Sequence, residues 1–167
     1  MTIVISDTNI FIDLITIDLL NDFLELPFEV HTTDFVVSEL NDQQVNVIKE
    51  KIEGNKIKVN TADEKELEEI MDLQRSKSSL SIQDFSVFFF ARKNNATILT
   101  GDKAFRNFAE EKEMDVKGIL WIFDEIEKAI LKDRIILAEK LENLFSINTR
   151  LPKDECEKRI KIWRGLK

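Results

Sequence analysis

The chain has 167 residues, of which 43% are hydrophobic and 34% charged, a composition typical of a single globular domain. One cysteine, Cys156, and one histidine, His31, exclude an internal disulfide and any metal site built from several thiolates or imidazoles, and they favour the cytoplasm. No apolar run is long enough for a membrane span, and the start lacks the basic lead of a signal peptide, so we expect neither. The formal net charge of −8 argues against non-specific affinity for nucleic acids.

The first twelve residues predict a strand that leads into a helix. Four consecutive β-branched residues, 2–5, are typical of a short strand buried on both faces, and the apolar spacing over 10–26 predicts a helix that Pro27 ends. Asp7 therefore lies where the strand ends, which is the edge of a parallel α/β sheet where ligands bind. The alternative is that Asp7 or Thr8 only caps the helix.

Strands and helices continue to alternate along the next fifty residues. The pattern predicts a strand over 29–32, a helix from 33 that contains Glu39, a helix over 42–51, a strand over 56–60 and a helix over 61–74. We expect His31 to be a strand residue without a chemical role. Thr61 and Glu64 have the spacing of a capping box at the start of the last helix.

A polar loop over 76–81 precedes the most apolar helix of the chain, 82–92. Asp84 falls in its first turn, where Ser81 and Asp84 also have capping-box spacing, so capping is the alternative to a functional role. A β-rich stretch over 96–100 follows, and Asp102 comes directly before a helix that starts at Lys103. Asp102 thus repeats the position of Asp7.

The alternation of strands and helices predicts an α/β fold, with a central parallel sheet in a three-layer αβα arrangement. Asp7 and Asp102 then share one edge of the sheet, where helices could add Glu39 and Asp84. Carboxylates so close repel one another unless a cation lies among them, and oxygen ligands without histidine or thiolate suit Mg²⁺ or Mn²⁺. The residues alone thus make a metal-assisted hydrolysis of phosphodiesters a working hypothesis.

The acidic positions and their neighbours resemble the motifs of the PIN domain family, whose members are metal-dependent ribonucleases found as bacterial toxins and in RNA processing. The resemblance runs from about residue 3 to 108 and rests on these positions: Asp7-Thr8-Asn9, Glu39, Asp84 and Thr100-Gly101-Asp102. It implies that four carboxylates hold the metal, those of Asp7, Glu39, Asp84 and Asp102.

The resemblance also implies roles for neighbouring groups and for partners. Asn9 and Thr100 would orient the metal ligands or the substrate. The implied activity is an Mg²⁺- or Mn²⁺-dependent endoribonuclease acting on RNA, and an antitoxin partner, a toxin role and a homodimer remain open. Many family members have a further acidic residue where this chain has Ala104, which leaves four carboxylates and puts a second metal ion in doubt. We expect Asp13, nearly two turns into the first helix, to be an ordinary surface residue.

Residues 117–167 extend beyond the predicted PIN-like core, 1–116, and we expect their helices to pack on the same domain. The pattern predicts helices over 118–131, over 135–145 and after Pro152. Seven basic and three acidic residues lie between Arg150 and Lys167. These charges are either a solvated helix face or a contact with RNA or a partner.

Two rival functions are compatible with the sequence. A haloacid-dehalogenase-like phosphatase also places an aspartate after its first strand, but it needs a second aspartate where this chain has Asn9. The other rival is an inactive PIN-like module that binds nucleic acid or a partner protein. All four acidic positions argue against such a loss of activity, whereas Ala104 leaves it open.

Overall fold

The central element is a five-stranded sheet in which every strand pair is parallel. The structure is a computed structural model that describes residues 1–77 and 79–166; Ser78 of the predicted loop and Lys167 of the basic segment lie outside the described residues. The strands are β1 (Thr2–Ser6), β2 (Phe28–Thr33), β3 (Ile57–Asn60), β4 (Thr97–Leu99) and β5 (Val116–Lys117), in the spatial order β3-β2-β1-β4-β5. β1 is therefore the middle strand.

Helices flank the sheet, and the predicted fold class is confirmed. They are α1 (Thr8–Thr16), α2 (Leu20–Leu24), α3 (Asp34–Glu39), α4 (Asp42–Glu53), α5 (Glu64–Ser76), α6 (Ile82–Asn94), α7 (Lys103–Glu111), α8 (Ile119–Lys128), α9 (Arg134–Ile147) and α10 (Lys153–Trp163). In the described part of the chain, none of these helices has the length and apolar character needed to cross a membrane.

The chain forms two compact units. Unit 1 comprises residues 1–12 and 27–117 and contains the whole sheet. Unit 2 comprises residues 13–26 and 118–167, and its buried core includes Phe23, Phe123 and Leu141. The predicted division into 1–116 and 117–167, with the extension packed on the core, stays a prediction.

Helix α6 is the buried centre of unit 1. Seven consecutive residues, 85–91, are buried, so the helix has no solvated face over this stretch. The predicted capping box is confirmed, because the Ser81 hydroxyl accepts from the backbone N–H of Asp84 and the Asp84 carboxylate accepts from the N–H of Ser81. The packing of α6 therefore fixes the position of Asp84.

The predicted helix over 10–26 is wrong as one element, because the chain leaves the helical path between α1 and α2. Asp18 adopts the left-handed conformation with φ of 53°, and its N–H donates to the Ile15 carbonyl. The N–H of Leu19 donates to the Leu14 carbonyl, which completes a Schellman motif. Aspartate tolerates this conformation better than most residues, so the helix ends without a glycine or proline.

Three smaller expectations also differ from the structure. The capping box of α5 is formed by Asp63 and Glu66, not by Thr61 and Glu64. β5 was not predicted, since two residues are too few to show a periodicity. Pro152 is the N-cap of α10 rather than its first helical residue.

Ile130, after α8, offers a test of backbone strain. It has φ of 57° and is 87% exposed, so a β-branched side chain occupies a conformation that costs roughly 1–2 kcal/mol, and little burial offsets that cost. We expect Ile130→Gly to raise the free energy of unfolding by about 1 kcal/mol, measured by urea denaturation. Ile130→Ala keeps the Cβ and should recover little of this gain. A glycine variant no more stable than the unaltered chain would contradict the assignment of strain.

Candidate functional site

A cavity of about 460 Å³ opens in unit 1 beyond the carboxyl ends of β1 and β4. It is lined by four carboxylates and one amide that the sequence singled out, those of Asp7, Glu39, Asp84, Asp102 and Asn9. Its other lining residues are Thr8, Ile12, Ser79, Ser81 and Gln83. The structure thus brings the four acidic residues, from four separate segments of the chain, to a single cavity.

Asp7 is the most buried of the four acidic residues, with 5% of its surface exposed. It follows β1, and its Oδ1 accepts from the backbone N–H of Ile10 at 3.1 Å. The pKa of the Asp7 carboxyl is raised to about 7. Burial is the largest cause, the nearby charges of Asp84 and Asp102 act in the same direction, and hydrogen bonds from Thr100 and Ile10 lower the pKa. The ionised form of the Asp7 carboxylate is therefore destabilised by its surroundings near neutral pH.

The hydroxyl of Thr100 joins the two strand-end aspartates. Thr100 is fully buried, and its Oγ1 accepts from the backbone N–H of Asp102 at 3.1 Å. The hydroxyl proton is then free to point at Asp7, and it donates to Asp7 Oδ2. Thr100 therefore fixes the orientation of the Asp7 carboxylate, which agrees with the orienting role that the sequence predicts for it.

Asp102 is the N-cap of α7, as its place before Lys103 predicts. Its Oδ1 accepts from the backbone N–H of Phe105 at 2.7 Å, so Oδ2 is available to other partners. Because Asp7 bonds the Ile10 N–H in the same manner, both strand-end aspartates contact the start of a helix.

Glu39 and Asp84 are supplied by helices rather than by strand ends. The Thr8 hydroxyl donates to Glu39 Oε2, which ties the end of α3 to the start of α1. Asp84 uses Oδ2 for the capping bond to Ser81. Burial raises the pKa of Asp84, and the charges of Asp102 and Glu39 add to the effect. The four carboxylates are thus electrostatically connected around the cavity.

A buried pair of hydroxyls links the two helices that carry Glu39 and Asp84. Thr33, the N-cap of α3, and Ser86 on α6 are both fully buried, and their hydroxyl oxygens are 2.8 Å apart. Ser86 donates to the Gln83 carbonyl at 2.7 Å, so Thr33 is the donor of the pair. This link holds the start of α3 against the first turn of α6.

The four carboxylates line one cavity, but they are not arranged as a metal-binding site. Across residues 1–77 and 79–166, no group of three or more His, Cys, Asp or Glu side chains is arranged to hold a metal ion. Each of the four carboxylates is bonded to a donor of the protein instead: Thr100 and Ile10 for Asp7, Thr8 for Glu39, Ser81 for Asp84 and Phe105 for Asp102. The four carboxylates are nevertheless chemically suited to a hard divalent cation, since all the charged groups of the cavity are oxygen donors.

Part of the cavity wall was not anticipated from the sequence. Ser79 and Ser81 line it from the segment between α5 and α6, where only a loop and a helix cap were predicted, and Gln83 lines it from the first turn of α6. Neutral hydroxyl and amide groups of this kind occur in most loops, so their types and spacing carry no signal.

Asp13 lies in unit 2, where burial raises the pKa of its carboxyl and Asn148 donates to it at 3.1 Å. It is therefore not the ordinary surface residue expected.

Two arginines of the basic C-terminal segment, Arg159 and Arg164, are ion-paired within unit 2. Arg159 bonds Asp124 with two nitrogens, at 2.8 and 2.7 Å, and also bonds Glu155. Arg164 bonds both carboxylate oxygens of Glu142, at 3.0 and 2.8 Å. The charge of these two arginines is thus partly neutralised, which agrees with a solvated helix face at these positions, and a contact of the segment with RNA or a partner stays a prediction.

Residues 3–164 match the family model DUF3368, described as a PIN domain. The chain belongs to the PIN domain family. This confirms the resemblance, and it replaces the haloacid-dehalogenase-like alternative. A comparison with curated proteins gave no match.

Several solved structures are similar to this PIN domain protein. A domain of a functionally unknown protein from Methanocaldococcus jannaschii is 22% identical with a TM-score of 0.49, covering 71% of this chain and 91% of its own. VapBC2 from Rickettsia felis, bound to a DNA fragment from its promoter, is 16% identical with a TM-score of 0.48, covering 70% and 98%. FitAcB from Neisseria gonorrhoeae is 18% identical with a TM-score of 0.43, covering 68% and 95%. Similarities this low carry no argument about function.

The raised pKa of Asp7 predicts a particular dependence of stability on pH. Between 3.8, the ordinary value, and about 7, the folded chain keeps a proton that the unfolded chain has lost, so the free energy of unfolding falls as the pH rises through this window. Asp7→Asn removes this loss. In EDTA at pH 8 we expect the variant to be more stable by about 4 kcal/mol, measured by urea denaturation, with the difference vanishing below about pH 4.

The exposed Asp42 supplies the matched control, because Asp42→Asn makes the same chemical change away from the cavity. That variant should show no comparable divergence from the unaltered chain between pH 4 and 8. An Asp7→Asn variant that is equally stable or less stable at pH 8 would show that the ionised Asp7 carboxylate does not destabilise the fold.

Proposed function

We propose that this PIN domain protein is an Mg²⁺- or Mn²⁺-dependent endoribonuclease. One observation carries the proposal: Asp7, Glu39, Asp84 and Asp102 line the same cavity beyond the carboxyl ends of the sheet. Four carboxylates around one cavity, with Asp7 buried and Asp84 and Asp102 half-buried, are unfavourable in the absence of a cation, as the raised pKa values of Asp7 and Asp84 indicate. A divalent cation among them would remove this repulsion.

The hydrogen bonds of the site leave ligand atoms for such an ion. Among the described residues, Asp84 uses Oδ2, Asp102 uses Oδ1 and Glu39 uses Oε2, so one oxygen of each carboxylate remains available. Both oxygens of Asp7 accept a bond, but each carboxylate oxygen has a second lone pair. These oxygens are the proposed ligands, and the carboxylates would have to draw together around the ion.

The residues of the cavity would then have separate roles in RNA hydrolysis. A bound divalent ion supplies an activated water and neutralises the charge that develops on a phosphodiester. Thr100 and Thr8 keep the carboxylates of Asp7 and Glu39 in orientation through their hydroxyl bonds. Asn9 and Gln83 present amide groups at the cavity wall, where they can bond to the ribose or phosphate of the strand. Ala104 adds no carboxylate, so a second ion would bind more weakly than the first.

The proposal includes the partners and the compartment that the family implies. RNA is the polymer substrate, the chain works in the cytoplasm, and it associates with a second copy of itself. The acidic cavity would also accept a cationic segment of an antitoxin in place of substrate, which would make the protein the toxin of a pair.

Conservative substitutions at the cavity test the activity. We expect Asp7→Asn and Asp102→Asn each to lower the rate of Mg²⁺-dependent cleavage of single-stranded RNA by about 100-fold or more, because each removes a charged ligand without changing the shape of the side chain. The rate is measured on labelled RNA with and without EDTA. Asp42→Asn is the control and should keep full activity. Undiminished cleavage by either cavity variant would overturn the assignment.

A second readout separates the nuclease from an inactive binding module, the alternative that Ala104 leaves open. Mn²⁺ should raise the melting temperature of the unaltered chain, and this increase should be smaller in Asp7→Asn and Asp102→Asn. Stabilisation by Mn²⁺ without any RNA cleavage would support the binding module. Neither stabilisation nor cleavage would reject the metal site altogether.

A further inference from the structure

Two lysines of unit 1 lie against the same aromatic ring. The ammonium groups of Lys77 and Lys112 are 5.2 and 6.0 Å from the ring centroid of Phe108. Lys77 follows the last residue of α5 and Lys112 follows the last residue of α7, so two different helices direct a cation to one place. The contact with the ring holds both ammonium groups against one side chain.

Several basic residues of unit 1 are paired with carboxylates, whereas among the described residues these two lysines are not. Within unit 1, Lys51, Lys58, Arg75, Lys93, Arg106 and Lys117 each form an ion pair with a carboxylate. In the part of the chain that the structure describes, neither Lys77 nor Lys112 has a carboxylate within ion-pair distance. In a chain of net charge −8, two converging cations without an acidic partner are suited to an external anion.

A structural role for the two lysines is the alternative. A cation after the last turn of a helix interacts favourably with the helix dipole, and both residues occupy that position. The dipole explains each lysine separately. It does not explain why both lie on one ring.

The ring belongs to the packing that surrounds the cavity. Phe108 packs edge-on against Phe85, at 5.5 Å between centroids, and Phe85 follows the cavity residue Asp84. Phe108 also lies six residues after Asp102 on α7, a rise of about 9 Å along the helix. An RNA strand whose reacting phosphate lies in the cavity could therefore reach the two lysines with a flanking phosphate.

We propose that Lys77 and Lys112, held by Phe108, bind the phosphate backbone of the RNA strand that enters the cavity. The inference rests on the proposed nuclease function and supplies what the acidic cavity lacks. Four carboxylates repel a polyanion, so attraction of the strand must come from cations beside them. Lys77 and Lys112 are two such cations on unit 1, held against one ring.

Charge removal at the two lysines tests the inference by RNA binding. The double variant Lys77→Gln/Lys112→Gln is compared with Lys49→Gln/Lys65→Gln, which removes the same charge from two exposed lysines elsewhere in unit 1. Binding of labelled single-stranded RNA is measured by fluorescence anisotropy in EDTA, so no cleavage occurs, over a series of salt concentrations. We expect the first variant to bind about tenfold more weakly at low salt, with a salt slope smaller by about 0.7 for each lysine. The control should bind like the unaltered chain.

The outcomes separate this inference from the proposed function. Equal weakening in both double variants, unchanged binding in the first, or no measurable binding by the unaltered chain would overturn the inference. A melting temperature that falls in Lys77→Gln/Lys112→Gln with unchanged RNA affinity would assign the lysines to helix stabilisation. If the unaltered chain cleaves RNA in Mg²⁺ and the variant has an unchanged KM, the nuclease stands and the inference fails. If cleavage is absent but the lysine variant alone loses affinity, the inference stands and the nuclease fails.

Discussion

The burial of one carboxylate, that of Asp7, is the constraint on which the site depends. It follows the middle strand of the sheet, and only 5% of its surface is exposed. A buried charge is costly unless donors surround it, and here a backbone N–H at the start of α1 and the hydroxyl of Thr100 supply them. One donor belongs to α1, which follows β1, and the other is the residue directly after β4. The same bonds that make the burial tolerable therefore hold β1, β4 and α1 in their mutual arrangement.

Capping a helix and lining the cavity are one arrangement in this protein, although from the sequence they were alternatives. Asp84 and Asp102 bond backbone N–H groups at helix starts, and Asp7 bonds the N–H of Ile10 in the same way. A cap uses one side of a carboxylate and stabilises its charge through the helix dipole. The other side still faces the cavity. Helix starts thus orient the acidic groups before any ligand is present.

A helix or strand could be predicted from the sequence where its residue pattern differs clearly from that of the residues around it. β1 and α6 could be predicted because a β-branched run favours a buried strand, and a stretch that is apolar on every side favours a buried helix. The break at Asp18 was missed because the helix ends in a left-handed aspartate, without glycine or proline. Asp7 and Asp102 could be placed at one edge by the alternation of strands and helices, whereas Glu39 and Asp84 were assigned through the resemblance to PIN domains. The place of Ser79 at the cavity could not be predicted, because it depends on how the segment before α6 folds.

The distribution of charge explains how an acidic protein can still accept an anionic polymer. Net charge acts over long distances and is screened by salt, whereas affinity at a site depends on the cations and anions within several ångströms of it. Several basic residues of unit 1 are paired with neighbouring carboxylates, and in unit 2 Arg159 and Arg164 are paired in the same way. Fewer free cations are then left to attract a polymer at random. In the proposed nuclease, the acidic surface would suppress non-specific binding, and Lys77 and Lys112 would select where a strand enters.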